Sequence, residues 1–178
     1  DRMQRIMDAF ENYPELEEYG ISNEFGYYGY TQSIQIEGEP IDDVMQRPRA
    51  AMRIVSPGYF SATKVPLLLG RDFERADMAN NLPVAVVTDA FARKHFGTLD
   101  VVGKRFFRGQ ETQPLTIVGV APDLFASDPS RRREVGYFVP YNVARWQDVR
   151  IFAKPRTMGT DMERIMREIV RDVDDKLC

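Results

Sequence analysis

Acidic residues are the side chains of this chain whose types and spacing are best suited to chemistry. The tightest group is Asp72, Glu74 and Asp77, and adjacent pairs occur at Glu17-Glu18, Asp42-Asp43 and Asp174-Asp175. Two carboxyl groups roughly 5 to 10 Å apart in a cleft can hydrolyse a glycosidic bond. Asp72, Glu74 and Asp77 also offer oxygen ligands for calcium, but their spacing lacks the full ligand loop. Any acidic protein carries such pairs, so a solvated surface is the favoured interpretation.

Other residues that enzymes use are scarce. His95 is the only histidine, near the end of a predicted helix where the helix dipole favours a cation, and Cys178 is the only cysteine. A catalytic histidine needs a nucleophile or carboxylate held close to it, and one cysteine cannot build a zinc site of several thiolates. The phosphate-binding loop, the dinucleotide fingerprint, Gly-x-Ser-x-Gly and His-Glu-x-x-His are missing. The sequence therefore predicts a protein without catalytic residues, metal or cofactor.

Two segments are candidates for binding a partner. Aromatic residues alternate with glycine in the first segment, at Phe25, Tyr27, Tyr28 and Tyr30. Such residues bring a large contact area at a small cost in conformational entropy. The second is a basic run in a predicted loop, Arg131, Arg132 and Arg133, which can contact lipid headgroups or an acidic partner. The competing interpretations are half-buried strand tyrosines and a solvated loop.

Composition limits the class of protein. The 178 residues include 24 basic and 27 acidic residues, for a net charge of −3. A nucleic-acid-binding protein usually has a basic excess, so nucleic acid is not an expected partner. No run approaches the roughly 20 apolar residues that span a bilayer. The chain begins with Asp1 and enters a helical pattern at once, so we expect it to be a piece of a longer protein.

Helical periodicity marks both ends of the chain. Apolar residues at helical spacing predict a helix over residues 1–12, at Met3, Ile6, Met7 and Phe10. The same spacing predicts a longer amphipathic helix near the other end, at Met162, Ile165, Met166, Ile169, Val170 and Val173. Thr160 and Glu163 are typical of a capping box at its start. Such a helix must lay its apolar stripe on another element, most simply a sheet.

Strand patterns fill the space between these helices. They predict strands over residues 16–24, 31–37, 49–55, 84–87, 115–121, 136–141 and 149–153. Pro57 suits the first position of a short helix. Thr88 or Asp89 suits the cap of a helix over residues 90–96, which Gly97 ends. The predicted fold is α+β, with a mixed or antiparallel sheet and helices packed on one side.

An ordered set of motifs carries a resemblance to a known family. It includes Pro57-Gly58-Tyr59-Phe60, Gly70-Arg71-Asp72-Phe73 and Gly103-Lys104-Arg105-Phe106, together with Ala90–Gly97 and Thr116–Pro122. In order and spacing these resemble the MacB-like periplasmic core domain of FtsX-like ABC-transporter permeases, over about residues 50–141. One departure is Asp100-Val101, where a proline is common before Val102-Gly103.

The resemblance implies a domain architecture. Residues 1–55 and 115–178 would form a split porter-like subdomain, and residues 56–114 a smaller inserted α/β subdomain. The whole chain would be one extracytoplasmic domain of a longer membrane protein. The three motifs would be structural, with Gly70 and Gly103 in turns and the aromatic residues as core anchors.

The resemblance also implies a function without chemistry. The domain would stand outside the bacterial cytoplasmic membrane, joined to it by flanking transmembrane helices. It would transmit shape changes driven by a cytoplasmic ATPase, or hold a substrate or a periplasmic adaptor protein. The alternatives are a ligand- or peptide-binding module that uses Phe25–Tyr30, which predicts an apolar pocket, and a carboxylate-dependent hydrolase. The hydrolase predicts two acidic residues in one cleft, one of them with a strongly raised pKa.

Overall fold

The computed structural model describes residues 2–23, 30–39, 41, 43–122, 135–141 and 149–174, except for the side chains of residues 2, 3, 30 and 174. The helices are α1 (Arg2–Glu11), α2 (Tyr59–Ala62), α3 (Arg75–Ala79), α4 (Asp89–Phe96) and α5 (Met162–Asp174). The strands are β1 (Leu16–Ser22), β2 (Tyr30–Ile36), β3 (Arg49–Val55), β4 (Leu69–Gly70), β5 (Val84–Thr88), β6 (Arg105–Arg108), β7 (Leu115–Ala121), β8 (Gly136–Pro140) and β9 (Arg150–Pro155). Both predicted end helices and all seven predicted strands are confirmed.

The strands form one mixed sheet, in which six strands close into a ring. The hydrogen-bonded order is β2-β6-β7-β5-β8-β3, and β3 pairs again with β2. The β5–β7 and β3–β8 pairs are parallel, and the other pairs of the ring are antiparallel. β1 and β9 extend the sheet beyond β3, and β4 pairs with β7. The predicted α+β class with a mixed sheet is confirmed.

Alternate residues of the six ring strands share one apolar cluster. It contains Ile34, Met52, Val87, Phe106, Ile117 and Tyr137, one or more from each ring strand. Phe91 and Ala92 of α4 belong to the same cluster and are fully buried. Because successive strand residues point to opposite faces, this cluster is the inner side of the ring, and α4 packs against it.

Helices α1 and α5 pack together beside β1 and β9. Their contact is an apolar cluster made of Ala9, Phe10, Leu16, Ile165, Ile169 and Val173. The stripe predicted for α5 therefore meets α1 as well as the sheet. Among the described helices, none has the length and apolar character to cross a bilayer.

The short helix α2 lies on the opposite face of the sheet. Its Tyr59 and Phe60 are 2% exposed and pack with Phe138, and Tyr59 meets Phe152 edge-on. The prediction that Pro57 takes the first helical position is wrong, because α2 begins at Tyr59 after Gly58. Gly58 has φ +77°, and a Cβ there would lie 2.8 Å from the carbonyl oxygen of Tyr19, so the turn requires glycine.

Of the helix caps predicted for α4 and α5, the first is confirmed and the second is wrong. Thr88 Oγ1 accepts the N–H of Phe91, and Gly97 ends α4 with φ +70°, as predicted. The capping box of Thr160 and Glu163 is wrong. The Asp161 carboxylate accepts the N–H of Arg164, and the Thr160 hydroxyl donates to the carbonyl of Thr157. Aspartate caps a helix as well as threonine does, so the cap lies one residue later and satisfies the N–H of Arg164 instead of that of Glu163.

The division into two subdomains stays a prediction. Strands from residues 56–114, including β5 and β6, pair with β2, β7 and β8 from residues 1–55 and 115–178. Both ranges thus contribute to one continuous sheet.

Candidate functional site

Most of the predicted partner-binding surface lies outside the described residues. This holds for Phe25, Tyr27 and Tyr28 and for Arg131, Arg132 and Arg133. Tyr30 is the first residue of β2 and lies opposite Met52 of β3, but its side chain is not described. The binding role of this surface therefore stays a prediction.

The acidic group at residues 72–77 forms a structural joint around Asp77. Arg71 donates to both Asp77 carboxylate oxygens, at 2.7 and 2.9 Å, and the N–H of Glu74 donates at 2.8 Å. Asp77 and Glu74 also form a capping box at the start of α3. Hydrogen bonds from Arg71 hold the pKa of Asp77 below its usual range. Asp77 is 2% exposed, so its oxygens are already engaged and covered, and the favoured interpretation of a solvated surface is wrong for this residue.

Asp72 joins two of the motifs that carry the resemblance. Its Oδ1 accepts the N–H of Phe73 at 2.6 Å, and its carboxylate also accepts a backbone hydrogen bond from Gly58. The rings of Phe60 and Phe73 lie 6.5 Å apart beside this contact. Burial raises the pKa of Asp72 to about 6, which the backbone bonds only partly oppose. The turn before α2 and the turn before α3 are thus held together by one carboxylate.

The pKa of Asp72 is raised and that of the nearby Asp77 is lowered, which is the pattern expected if the protein were a carboxylate-dependent hydrolase. The oxygens, however, bind Arg71 and backbone N–H groups of the protein itself. In the part of the chain that the structure describes, no cluster of three or more His, Cys, Asp or Glu could hold a metal ion. The shifted pKa values are explained by structural contacts, and nothing in this arrangement favours hydrolysis.

His95 is a neutral, partly buried residue of α4. Its Nε2 is buried without a hydrogen-bond partner, and its ring lies 4.8 Å from that of Phe91. Burial, with a smaller contribution from Lys94, lowers the pKa of His95 to about 4. Arg93 and Lys94 supply the basic side chains at the end of this helix. The buried imidazole stays neutral near pH 7, because the cost of burying its charge exceeds the attraction of the helix dipole.

Helix α2 sits directly on β1, and this contact requires glycine at position 20. A Cβ on Gly20 would lie 2.6 Å from the Cα of Tyr59, which is closer than packed atoms approach. Ser61 of α2 also donates to Glu18 of β1 at 2.5 Å. Sequence reasoning missed this joint, and the only local signal was a glycine inside a strand pattern, which indicates close backbone approach.

Helix α1 is tied to the rest of the protein by polar contacts as well. Arg75 of α3 forms ion pairs with Glu11 and with Asp8, the latter at 3.9 Å, and lies 3.5 Å from the Tyr19 hydroxyl. The hydroxyl of Tyr141 donates to Gln4 at 2.7 Å. These partners are far apart in sequence, so no pattern could have revealed them.

Buried polar residues mark the place where β1 meets the ring. Ser22 and Ser56 are fully buried, and Asn23 is 7% exposed. Ser56 Oγ accepts the N–H of Ile21 at 2.9 Å, and Asn23 Oδ1 accepts the N–H of Ile54 at 2.7 Å. These side chains satisfy backbone groups where the regular β1–β3 pairing is reduced to Ser22 opposite Val55.

Shallow depressions occur on the described surface. One of about 480 Å³ runs along α5 and is lined by charged residues alone, from Asp161 to Arg171. Another of about 280 Å³ is lined by Gln35, Val44, Arg47, Phe107, Gln110 and Glu111. Neither is an apolar pocket with a few convergent polar groups, which the ligand-binding alternative predicts.

The sequence has a relative of known name. The chain is 32% identical over 114 residues to the macrolide export ATP-binding/permease protein MacB of Pasteurella multocida. The matched part is 64% of this chain and 17% of that relative. The chain therefore spans less than a fifth of the length of the curated relative that it matches.

Solved structures share the fold. The extracellular domain of the noncanonic ABC-type transporter YknZ from Gram-positive bacteria has a TM-score of 0.66 and 15% identity, covering 97% of this chain and 82% of that chain. The periplasmic region of MacB from Actinobacillus actinomycetemcomitans has a TM-score of 0.66 and 12% identity, covering 96% and 73%. A permease domain from Porphyromonas gingivalis has a TM-score of 0.63 and 18% identity, covering 97% and 68%.

The motifs that join the turns at Gly58 and Asp72 lie within the region that a family model recognises. That model describes the MacB-like periplasmic core domain and matches residues 20–172. Since this range is most of the chain and the fold agrees, the chain belongs to the family of MacB-like periplasmic core domains.

Proposed function

We propose that this chain is a non-catalytic, extracytoplasmic domain of an ABC-transporter permease. It couples ATP hydrolysis in the cytoplasm to export, or to other conformational work outside the membrane. The observation that carries the proposal is the packing of α1 on α5, which brings the first and the last described helices into one apolar cluster. A domain inserted between two membrane segments needs its first and last elements together, so that a displacement of either segment reaches the fold.

The contacts around this helix pair provide a route for such a displacement. Arg75 connects α1 to α3, and α2 rests on β1 through Gly20 and Ser61. Asp72 in turn joins the turns that precede α2 and α3. A movement of α1 and β1 would therefore displace α2 and α3, the helices in the middle of the chain, through these contacts.

The proposal implies partners that this chain does not contain. They are the membrane, through flanking transmembrane helices, and a cytoplasmic ATPase subunit or domain. The name of the Pasteurella relative contains both ATP-binding and permease functions, which supports this assignment. A periplasmic adaptor protein is a further proposed partner, and nucleic acid is not. A macrolide is the first substrate whose export should be tested, because that relative is named for macrolide export.

The location is tested by labelling in cells. In the full-length parent, stripped of other cysteines and carrying Cys178→Ser, Met158→Cys places a thiol at a side chain that is 98% exposed. A membrane-impermeant maleimide should label it in spheroplasts. Ile169→Cys is the matched control, because its side chain is 1% exposed and should stay unlabelled in the folded domain. Labelling of Met158→Cys only after cell lysis would place the domain in the cytoplasm and overturn the proposal.

The coupling is tested separately. Arg75→Ala in the full-length parent should lower macrolide export severalfold while basal ATP hydrolysis is retained, because α1 loses its link to α3. Arg105→Ala is the matched control, since its ion pair with Glu37 is similarly exposed but lies away from α1. Equal export by both variants and the wild type would contradict coupling through this contact. The alternative function, binding of a ligand or peptide by the surface at Phe25–Tyr30, stays a prediction.

A further inference from the structure

Methionine side chains occur in two contrasting environments in this domain. Met45 and Met158 are 87% and 98% exposed, whereas Met7, Met52 and Met78 are at most 6% exposed. Met162 and Met166 are half-buried against the α1–α5 cluster. Thioether oxidation follows exposure, so these environments predict different reactivity.

Both exposed side chains stand on turns whose backbone is held by other groups. Met45 lies in the 3-10 turn Val44–Gln46, where its N–H donates to Asp43 Oδ1 at 2.9 Å. Met158 lies in the connection between β9 and α5, next to Gly159 with φ +89°. Neither side chain belongs to an apolar cluster of the described residues. Each turn therefore keeps its shape whatever happens to the sulfur.

The buried sulfurs have a different role. Met7 and Met52 belong to the apolar cluster that the ring strands share, and the Sδ of Met52 lies 3.3 Å from a guanidinium nitrogen of Arg108. Turning such a thioether into a polar sulfoxide would disrupt packing. A peroxide reaches these atoms only when the fold opens, and that opening is rare in a stable domain.

We propose that Met45 and Met158 are surface sites of reversible oxidation by peroxides. A lone pair on Sδ attacks one oxygen of hydrogen peroxide, the O–O bond breaks, and an S=O bond forms. The sulfur gives up two electrons, and the departing hydroxide takes the proton of the attacked oxygen and leaves as water. The sulfoxide is polar and remains on the surface, so the fold is unchanged while two apolar side chains become hydrogen-bond acceptors. Methionine sulfoxide reductases reverse the reaction.

The experiment exposes the folded 178-residue chain to hydrogen peroxide and follows each methionine by peptide mass spectrometry. Met45 and Met158 should each gain one oxygen at least about tenfold faster than Met7, Met52 and Met78 do, because the buried groups react only through opening. The unfolding midpoint should be the same before and after this first phase. Treatment with methionine sulfoxide reductase should return the mass to its starting value.

The matched control is the double variant Met45→Leu and Met158→Leu, which keeps an apolar side chain of similar size. It should lose the fast oxygen uptake at positions 45 and 158 and keep the slow uptake at Met7, Met52 and Met78. In the presence of denaturant, all methionines should react at similar rates, which reports the intrinsic reactivity. Similar rates for exposed and buried methionines in the folded chain, a fast phase located at Met162 or Met166, or a lowered unfolding midpoint after the fast phase would each overturn the proposal.

Discussion

Helix α1 is held on two sides by joints of opposite character. Toward α5 the joint is apolar, with Phe10, Ile165 and Ile169 buried in one cluster. Toward α3 it is polar, with the half-exposed Arg75 paired to Glu11 and Asp8. Apolar burial contributes about 25 cal/mol per Å², whereas exposed ion pairs contribute roughly 0 to 1 kcal/mol. From this difference we expect α1 and α5 to stay together when the domain changes conformation, and the contact with α3 to break more easily.

The largest effect should come from cutting into the apolar joint. Ile169→Ala should lower the free energy of unfolding by about 2 to 5 kcal/mol, because it leaves a cavity between α5 and α1. Chemical denaturation measures this change. The neighbouring Val170 is 53% exposed, so Val170→Ala should change stability by less than about 0.5 kcal/mol. Equal losses for the two variants would mean that α5 is not seated on α1 as described.

A smaller loss of stability should follow from disturbing the contact between α2 and β1. Gly20→Ala should lower the free energy of unfolding by about 1 to 3 kcal/mol, because the added methyl group meets the backbone of Tyr59 and must displace α2. Near-ultraviolet circular dichroism should also change, since Tyr59 packs against three phenylalanines. Gly38→Asn is the control, because nothing lies within 4 Å of a Cβ there and asparagine is among the residues that best tolerate a positive φ such as the +86° of Gly38. Any loss of stability there reflects this φ, and the near-ultraviolet signal should not change. An unchanged stability in Gly20→Ala would rule out this close contact.

The polar joint between α1 and α3 should contribute less to the stability of the fold. Arg75→Ala should lower the free energy of unfolding by about 0.2 to 1 kcal/mol, and added salt should reduce the difference further. Hydrogen exchange of the α1 amides should become faster, since this helix loses its link to α3. Arg105→Ala should cost a similar amount without any change in α1. A loss as large as that of Ile169→Ala would contradict the contrast between the two joints.

The pH dependence of folding stability tests the burial of His95 in the middle of the chain. The pKa of His95 is about 4 in the folded protein and 6.5 in its ordinary state. As pH falls from 6.5 toward 4, the unfolded chain takes up a proton that the folded chain refuses, so stability falls. His95→Gln should remove this part of the loss. Unfolding midpoints of both proteins at pH 7 and pH 4.5 test this, and an identical loss in both would refute the burial of a neutral imidazole.

Asp72 should change the folding stability with pH in the opposite direction. Its pKa is about 6 when folded and 3.8 ordinarily, so its contribution to stability is present below pH 3.8 and is lost as pH rises through 6. Asp72→Asn keeps an acceptor for the N–H groups of Phe73 and Gly58 and removes the charge. Relative to the wild type, the variant should therefore be more stable at pH 7 than at pH 4. A difference that does not vary with pH would mean that the carboxylate is solvated.

Local sequence predicted the elements because their signals act over a few residues. The stripe from Met162 to Val173 and the alternation in Arg49–Val55 placed a helix and a strand within a residue or two. Thr88 and Gly97 set the limits of α4 by satisfying backbone groups of the same helix. The ordered motifs indicated the family, since their turns and aromatic anchors have fixed spacing.

The candidate site was less accessible to such reasoning. The acidic residues 72, 74 and 77 were recognised as a group, but the sequence could not tell that Arg71 and backbone N–H groups occupy their oxygens. The low pKa of His95 could not be predicted for the same reason, since burial depends on what packs over α4. Arg75 carried no signal at all, because its partners on α1 lie more than sixty residues away.

By itself, then, the amino-acid sequence determined where helices and strands form, which faces are apolar and which family the chain belongs to. Only the tertiary structure decided that six strands close into a ring, that α2 begins at Tyr59, and which joint of α1 is apolar. Hydrogen bonds within a helix and alternation along a strand depend on near neighbours. Ring closure, close packing and the pKa of a buried group depend on residues that folding brings together from distant parts of the chain.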